Sequence, residues 1–222
     1  MSVRVVDDPA AEAAALIAEA VRARGNIALA GGSTPKAAYR LAADMDLDWS
    51  GATLWFGDER CVPADDERSN FRMAKEALLD RIAGAPPAVR RMPGEKGPHA
   101  GAEDYERELQ ESLGEQLPQL DLVLLGLGPD LHTASLFPGK PAVDVRDRAV
   151  VGVEEAGLEP LVPRITLTLP MINAAARAVF LIAGEDKSDA VRAVFGDGEG
   201  PAGRVVDPLV LLDEGAASRL PR

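Results

Sequence analysis

One of only two histidines in the chain, His132, sits in the run GLGPDLHTASLFPG (residues 126–139), among glycines, prolines and small hydroxyl residues. An imidazole titrates near neutral pH, so it can take a proton from water and serve as a general base. The competing reading is an ordinary turn residue, with Asp130 and Pro129 forming a local turn. The stretch alone leaves both readings open. Three further polar clusters carry residues suited to an anionic ligand. GGSTPK (31–36) offers Gly31 and Gly32 for close backbone approach, Ser33 or Thr34 as a helix cap, and Pro35 in the first helical turn. Free backbone N–H groups at such a helix start favour phosphate or carboxylate. GDER (57–60) sets Asp58, Glu59 and Arg60 side by side. Arg60 can supply a forked donor, and Asp58 can orient a donor or a substrate hydroxyl. GEDK (184–187) is the fourth cluster.

Other chemistries fit these residues less well. Two histidines and one cysteine offer no recognised metal-ligand spacing. Ser135 lies three residues from His132 and no nucleophile-elbow motif surrounds it, which argues against a serine-hydrolase triad. The glycine loop is neither a Walker loop nor a dinucleotide fingerprint. Cys61 has no histidine near it in sequence and reads as a small apolar core thiol. His99, in PGEKGPHAGAEDY, reads as a solvated loop residue.

The clusters are informative because of what precedes them. Each follows an apolar run: NIALA before GGSTPK, ATLWF before GDER, LDLVLL before GLGPDLHT, and RAVFLIA before GEDK. Loops that leave the carboxyl ends of parallel strands converge on one edge of the sheet, where ligands bind. Between these runs lie helical segments. Asp8 and Pro9 read as N-cap and first residue of an alanine-rich helix over 9–24, and TPKAAYRLAADM reads as a second helix. Ser69 reads as the cap of NFRMAKEALLDRIA; AGAEDYERELQESLG and EDKSDAVRAVFG are further helices. SVRVVD, NIALAGG, ATLWFGDER (52–60, one strand), a brief strand in VRRMPGEKG, LDLVLLGLG, RAVVGV and RAVFLIAG read as strands. Strands that alternate with helices, and that are continuously apolar, predict an α/β fold with an open, mostly parallel sheet covered on both faces.

Composition sets the outer limits. A chain of 222 residues with 46% hydrophobic content can bury a full core, and the reading is a single domain over 1–222. With 24 basic and 36 acidic residues the formal net charge is −12, which disfavours nucleic acid and anionic membranes as partners. A small anion remains compatible with that charge if a local cationic pocket receives it. The N-terminal stretch is acidic and alanine-rich, unlike a signal peptide or a membrane span. One cysteine excludes an intrachain disulfide, and a cytoplasmic location is expected. The residues set no oligomeric state; a monomer is compatible with them.

The segments ALAGGSTPKAAY, LWFGDERCVP with SNFRMAKEALL, LDLVLLGLGPDLHTASLFPG, and PRITLTLPMINAAARAVFLIAGEDK together resemble the 6-phosphogluconolactonase family. The likeness runs in order from about residue 5 to about residue 215. It implies a Rossmann-like α/β sheet and hydrolysis of 6-phospho-D-glucono-1,5-lactone, a sugar phosphate lactone, to 6-phosphogluconate in the oxidative pentose phosphate pathway. No metal or organic cofactor is implied. Carried over by position, His132 would activate water, while Asp130, with Asp58 beside it, would hold the imidazole or the water. Gly31, Gly32, Ser33 and Thr34 would lie near the phosphate, and Arg60, Arg164 (in PRITLT) and Lys187 would face the substrate.

Two departures stand out. The family's loop reads Asp-Gly-His, whereas here Leu131 separates Asp130 from His132. If position 131 takes a positive φ, a leucine there costs roughly 1–2 kcal/mol and can shift the base; at an ordinary φ it would only narrow the pocket wall. The C-terminal VVDPLVLLDEGAAS lacks an aromatic residue before its last aspartate and is expected to pack rather than catalyse. Two alternative functions use the same scaffold. A sugar-phosphate isomerase or deaminase would carry a carboxylate after its histidine, where this chain has SLFPG. A non-catalytic sugar-phosphate sensor would be joined to a DNA-binding module, and no helix-turn-helix is read before residue 26.

Overall fold

The computed structural model describes residues 1–114 and 117–221. In the first half, β1 (Ser2–Val5), α1 (Pro9–Arg22), β2 (Asn26–Leu29), α2 (Ser33–Ala43), β3 (Thr53–Phe56), β4 (Asp58–Arg60), α3 (Asn70–Ala77), β5 (Ala88–Val89) and α4 (Pro98–Leu113) follow one another. The second half runs β6 (Leu122–Leu125), β7 (Val150–Val153), β8 (Arg164–Leu167), α5 (Leu169–Asn173), β9 (Ala178–Ile182), α6 (Ser188–Val191), β10 (Leu209–Leu212) and α7 (Glu214–Ala217). Seven of these strands form one sheet in the order β1-β10-β9-β6-β2-β3-β5, and every pairing in it is parallel. The α/β reading of the sequence therefore holds.

The central strands explain themselves. β6 (LVLL) and β9 (AVFLI) are apolar at every position and buried at every position, as required where helices cover both faces of a sheet. α1 begins where Asp8 accepts hydrogen bonds from the N–H groups of Ala10 (2.9 Å) and Ala11 (3.2 Å), and its apolar residues Ala13, Ala14, Ile17 and Ala18 are buried. Ser69 likewise caps α3 through the N–H of Arg72 (3.1 Å). One continuous apolar core results, with Trp49, Trp55, Tyr39 and Tyr105 fully buried in it.

Strand order locates a crevice. After β2 the chain moves outward to β3 and β5, then returns to place β6 on the other side of β2. The connections at the carboxyl ends of β2 and β6 thus depart in opposite directions and open a gap between them.

Some predicted elements need correction. Residues 52–60 do not make one strand. The chain leaves the parallel sheet at Gly57, whose N–H bonds Leu29 O (2.9 Å) while its carbonyl accepts from the N–H of Leu167 (2.8 Å). Gly57 is therefore the joint between two sheets. Beyond it, β4 pairs antiparallel with β8, and β8 with β7, in a small second sheet. Strands β8 and β10 were not anticipated; β10 is the C-terminal segment expected to pack, and it does so between β1 and β9. The helix starting at Asn70 stops at Ala77 and gives way to a 3₁₀ turn over Leu79–Arg81. The segment read as a helix after Gly184 is a 3₁₀ turn (Glu185–Lys187), the short α6, and a π-turn over Arg192–Gly196.

Candidate active site

The gap between β2 and β6 is a crevice of about 260 Å³, and every candidate residue except Asp130 lines it directly. Its best-defined feature is the loop after β6. The turn closes on itself, with Leu131 N–H donating to Gly128 O (3.0 Å) and Gly128 N–H to His132 O (2.9 Å). The imidazole Nδ1 of His132 contacts Asp130 Oδ1, which also accepts from the His132 N–H (3.3 Å). With the Nδ1 proton held by a carboxylate, the neutral ring carries its lone pair on Nε2. Phe137 packs on the ring at 4.7 Å between centroids. On another side lies Gly128, where a Cβ would come within 2.0 Å of Nδ1, so only glycine fits. The ring is thus held by a carboxylate, an aromatic face and a bare Cα.

That loop carries strain. Leu131 has φ +70° and Ala134 φ +49°, both in the left-handed region that L side chains avoid. Each costs roughly 1–2 kcal/mol relative to ordinary backbone. Of the two readings of Leu131, the positive φ is the one realised.

α2 supplies the second wall. Its N-cap is Gly32, at φ +109°, and no side chain caps it, so Ser33 and Thr34 are not the caps the sequence suggested. The first N–H groups of α2 therefore lack a side-chain acceptor at the mouth of the crevice. Gly31 must be glycine because a Cβ there would meet Asn70 Oδ1 at 2.3 Å. Buried Tyr39 holds the base of this loop by bonding both the N–H and the carbonyl of Ala30 (2.8 Å each).

The small sheet supplies the third wall. Its register sets Asp58 opposite Thr166, Glu59 opposite Ile165, and Arg60 opposite Arg164. Alternation puts Asp58 and Arg60 on one face and Glu59 on the other. Asp58 is buried and engaged on both oxygens, accepting from Asn70 Nδ2 (3.1 Å) and Ser135 Oγ (2.7 Å). Asp130, not Asp58, is the carboxylate in contact with the imidazole. Glu59 binds the start of α3, accepting from the N–H groups of Arg60 (2.7 Å), Asn70 (2.7 Å) and Phe71 (2.8 Å) and from Ser69 Oγ (3.0 Å). Burial outweighs those bonds and holds its carboxyl above the usual range.

Three cations face this crevice. Arg164 is 3% exposed; its Nε donates to Val162 O (3.1 Å) and its Nη2 to Pro160 O (2.7 Å). Burial, and then the Arg60 charge across the strand pair, push its guanidinium below the ordinary arginine value. Arg60 Nη1 donates to Arg68 O (2.6 Å). Among the described residues, Arg60 Nε is the one buried side-chain polar atom without a hydrogen-bond partner. Lys187 reaches back from the 3₁₀ turn to Leu127 O (3.3 Å). Among the described residues no three His, Cys, Asp or Glu side chains gather as a metal site. Cys61, packed against the core, has its thiol pushed up to about 12 by burial.

Sequence reasoning missed several residues that build this site. Asn70 and Thr166 were not singled out, and Ser135 was weighed only as a nucleophile. Ser135 is instead fully buried, its N–H on Thr166 Oγ1 (3.1 Å) and its hydroxyl on Asp58. Gly128 was visible as a glycine after the most apolar strand, but its reason, the imidazole against it, is tertiary.

Residues 2–212 match the family described as glucosamine-6-phosphate isomerases/6-phosphogluconolactonase. The chain belongs to that family. Within it, a 6-phosphogluconolactonase of Synechocystis sp. is 40% identical over 213 residues, covering 90% of this chain and 87% of that protein. One from Streptomyces coelicolor is 40% identical over 225 residues, covering 92% and 85%. The solved 6-phosphogluconolactonase from Trypanosoma cruzi superposes with a TM-score of 0.85 at 31% identity, covering 100% of this chain and 97% of that one.

Proposed function

We propose that this chain is a 6-phosphogluconolactonase that hydrolyses 6-phospho-D-glucono-1,5-lactone, with His132 as the general base. The observation that carries the reading is a carboxylate-held imidazole sharing one crevice with Arg60, Arg164, Lys187 and the uncapped start of α2. An imidazole alone suits many reactions; three cations and free helix N–H groups beside it suit a phosphorylated substrate. The lactonase relatives, about 40% identical over some 90% of the chain, favour hydrolysis over isomerisation or deamination.

In the reaction, Nε2 of His132 removes a proton from water as the water oxygen attacks the lactone carbonyl carbon. Asp130, on Nδ1, stabilises the imidazolium that forms. The tetrahedral intermediate collapses with cleavage of the bond from the carbonyl carbon to the ring oxygen. His132 returns its proton to that oxygen, which leaves as the hydroxyl of 6-phosphogluconate. Ser135 cannot compete as a nucleophile, because it is buried at 0% exposure and already donates to Asp58. Arg60, Arg164 and Lys187, with Gly31, Gly32, Ser33 and Thr34, bind the phosphate and hydroxyl groups, and Asp58 keeps that wall in place through Asn70 and Ser135.

The test is hydrolysis of freshly generated lactone, corrected for spontaneous opening, by wild type and His132→Ala. Loss of about 10²–10⁴-fold in kcat is expected for removal of a general base. Equal rates would sink the role of His132, and tight binding of the lactone by wild type without turnover would favour a sensor.

A further inference from the structure

The loop that carries His132 rests on a second loop that no step of the reaction uses. Leu131 O accepts from the N–H of Ala202 (3.3 Å), and a Cβ built on Gly200 would lie 2.6 Å from Leu131 Cβ and 3.3 Å from its Cδ1. The leucine side chain therefore sits directly on the bare Cα of Gly200. Both residues are in the left-handed region, Leu131 at φ +70° and Gly200 at φ +69°. A glycine at 131 would hold the same turn without steric cost. What the leucine adds is the contact with Gly200.

The supporting loop is itself anchored. It leaves the π-turn at Arg192–Gly196, where Asp197 N–H bonds Arg192 O (3.1 Å) and Glu199 N–H bonds Ala193 O (2.9 Å). Phe195, in that turn, packs edge-on against Phe180 of β9 at 5.2 Å. The same segment begins at Lys187, whose ammonium bonds Leu127 O next to Gly128. The short loop from Gly128 to His132 is thus braced at both ends by one stretch of chain, through Lys187 and through Gly200.

We infer that Leu131 is a positioning residue: seated on Gly200, its side chain sets where the adjoining imidazole of His132 stands in the crevice. The inference rests on His132 being the base. It makes Leu131 and Gly200 one unit, in which a side chain at position 200 is tolerated only when position 131 has none.

The experiment is a double-mutant cycle of wild type, Gly200→Ala, Leu131→Gly and the double variant, with kcat, KM and Tm measured for each. In wild type, Gly200→Ala pushes Leu131 and its neighbour and lowers kcat about tenfold, with KM within about twofold. In the Leu131→Gly background the nearest remaining atom is the residue 131 carbonyl oxygen at 3.2 Å, so the same change costs kcat less than about twofold. Strain at φ +69° lowers Tm alike in both backgrounds and cancels from the cycle. Equal kcat factors in the two backgrounds would overturn the inference. Leu131→Gly alone gives a second reading: Tm holds or rises while kcat falls several-fold, and an unchanged kcat overturns the positioning role. The His132 imidazole resonances, followed by NMR through the same four proteins, separate the two ideas. If His132→Ala keeps full turnover the base assignment fails, whereas an imidazole signal that ignores Gly200→Ala sinks the contact.

Discussion

Replacing Gly128 with alanine should remove most catalysis while leaving the fold intact. A Cβ at this position would lie 2.0 Å from His132 Nδ1, 2.2 Å from its Cε1 and 2.6 Å from Asp130 Oδ1. Reaching the 3.4 Å of ordinary contact requires the imidazole to retreat by about 1.4 Å. Phe137 on the ring, 4.7 Å between centroids, limits where it can go, and Asp130 is pushed by the same methyl group. A reacting group displaced on the order of 1 Å costs about a hundredfold in rate, or roughly 2.7 kcal/mol of barrier. The backbone itself accepts alanine, because Gly128 is not among the residues at positive φ. A side chain there also narrows the unfolded ensemble, so Tm should move by only a few degrees. The assay is initial-rate hydrolysis of fresh lactone with the spontaneous rate subtracted, His132→Ala serving as the floor. Gly128→Ala should fall close to that floor in kcat, with KM within a few-fold of wild type. A variant that keeps more than about a third of wild-type kcat would refute the claim that the held position of the imidazole matters.

Arg164→Lys exchanges a fork engaged with the Val162 and Pro160 carbonyls for a single ammonium. KM should rise about tenfold with a smaller change in kcat, and Tm should drop as carbonyls lose their donors. A pure kcat defect would instead place Arg164 at the reacting carbonyl. Glu59→Gln turns one of two fully used acceptor oxygens into an NH2 facing donors from α3, and should destabilise by roughly 1–3 kcal/mol. The Glu59 carboxyl is held above its ordinary value, so its contribution to stability is complete below the unfolded carboxyl pKa and declines as pH rises through the folded one. The Tm gap between wild type and Glu59→Gln should therefore be widest in acid and shrink towards neutral pH; a gap that widens instead would contradict the effect of burial.

The sequence displayed the large sheet because parallel strands covered on both faces are continuous apolar runs, and it displayed the site because polar clusters end four of those runs. What stayed hidden is what one segment does to another. β4 is Asp-Glu-Arg, which reads as the charged end of one strand over 52–60; it is a separate strand of the small sheet, where Asp58 and Glu59 find buried donors on α3 and on Ser135. β8 alternates polar and apolar residues over only four positions, and its pairing with β4 is what sets Arg164 against Arg60. Ser69 was legible as a cap, whereas its neighbour Asn70, which reaches Asp58, was not, since only the first contact is local. Leu131 showed as a departure from the family's loop, but whether it mattered turned on a dihedral angle that no residue type prints.

Several places where this chain runs against local rules gather in one crevice, and that convergence points to where its ligand lies; two other residues at positive φ, Arg24 and Asp207, do not line it. Like charges directly opposite on paired strands oppose pairing by roughly 0.2–1 kcal/mol, yet Arg60 faces Arg164. The orphaned buried polar atom, Arg60 Nε, is at the same wall. α2, the helix that opens here, starts on Gly32 without a side-chain cap, as α4 does on Gly97 and α6 on Lys187, whereas α1, α3, α5 and α7 are capped by Asp8, Ser69, Thr168 and Asp213. Each of these defects is a surplus of positive charge or of free donors, in a chain whose formal net charge is −12. A bound phosphate would offset the charge and the bare helix start together: it would neutralise the facing arginines and accept from the free N–H groups of α2. The strain at Leu131 and Ala134 is of another kind, since no anion relieves it. It accompanies the imidazole between them, and marks the part of the crevice where geometry rather than charge is being held.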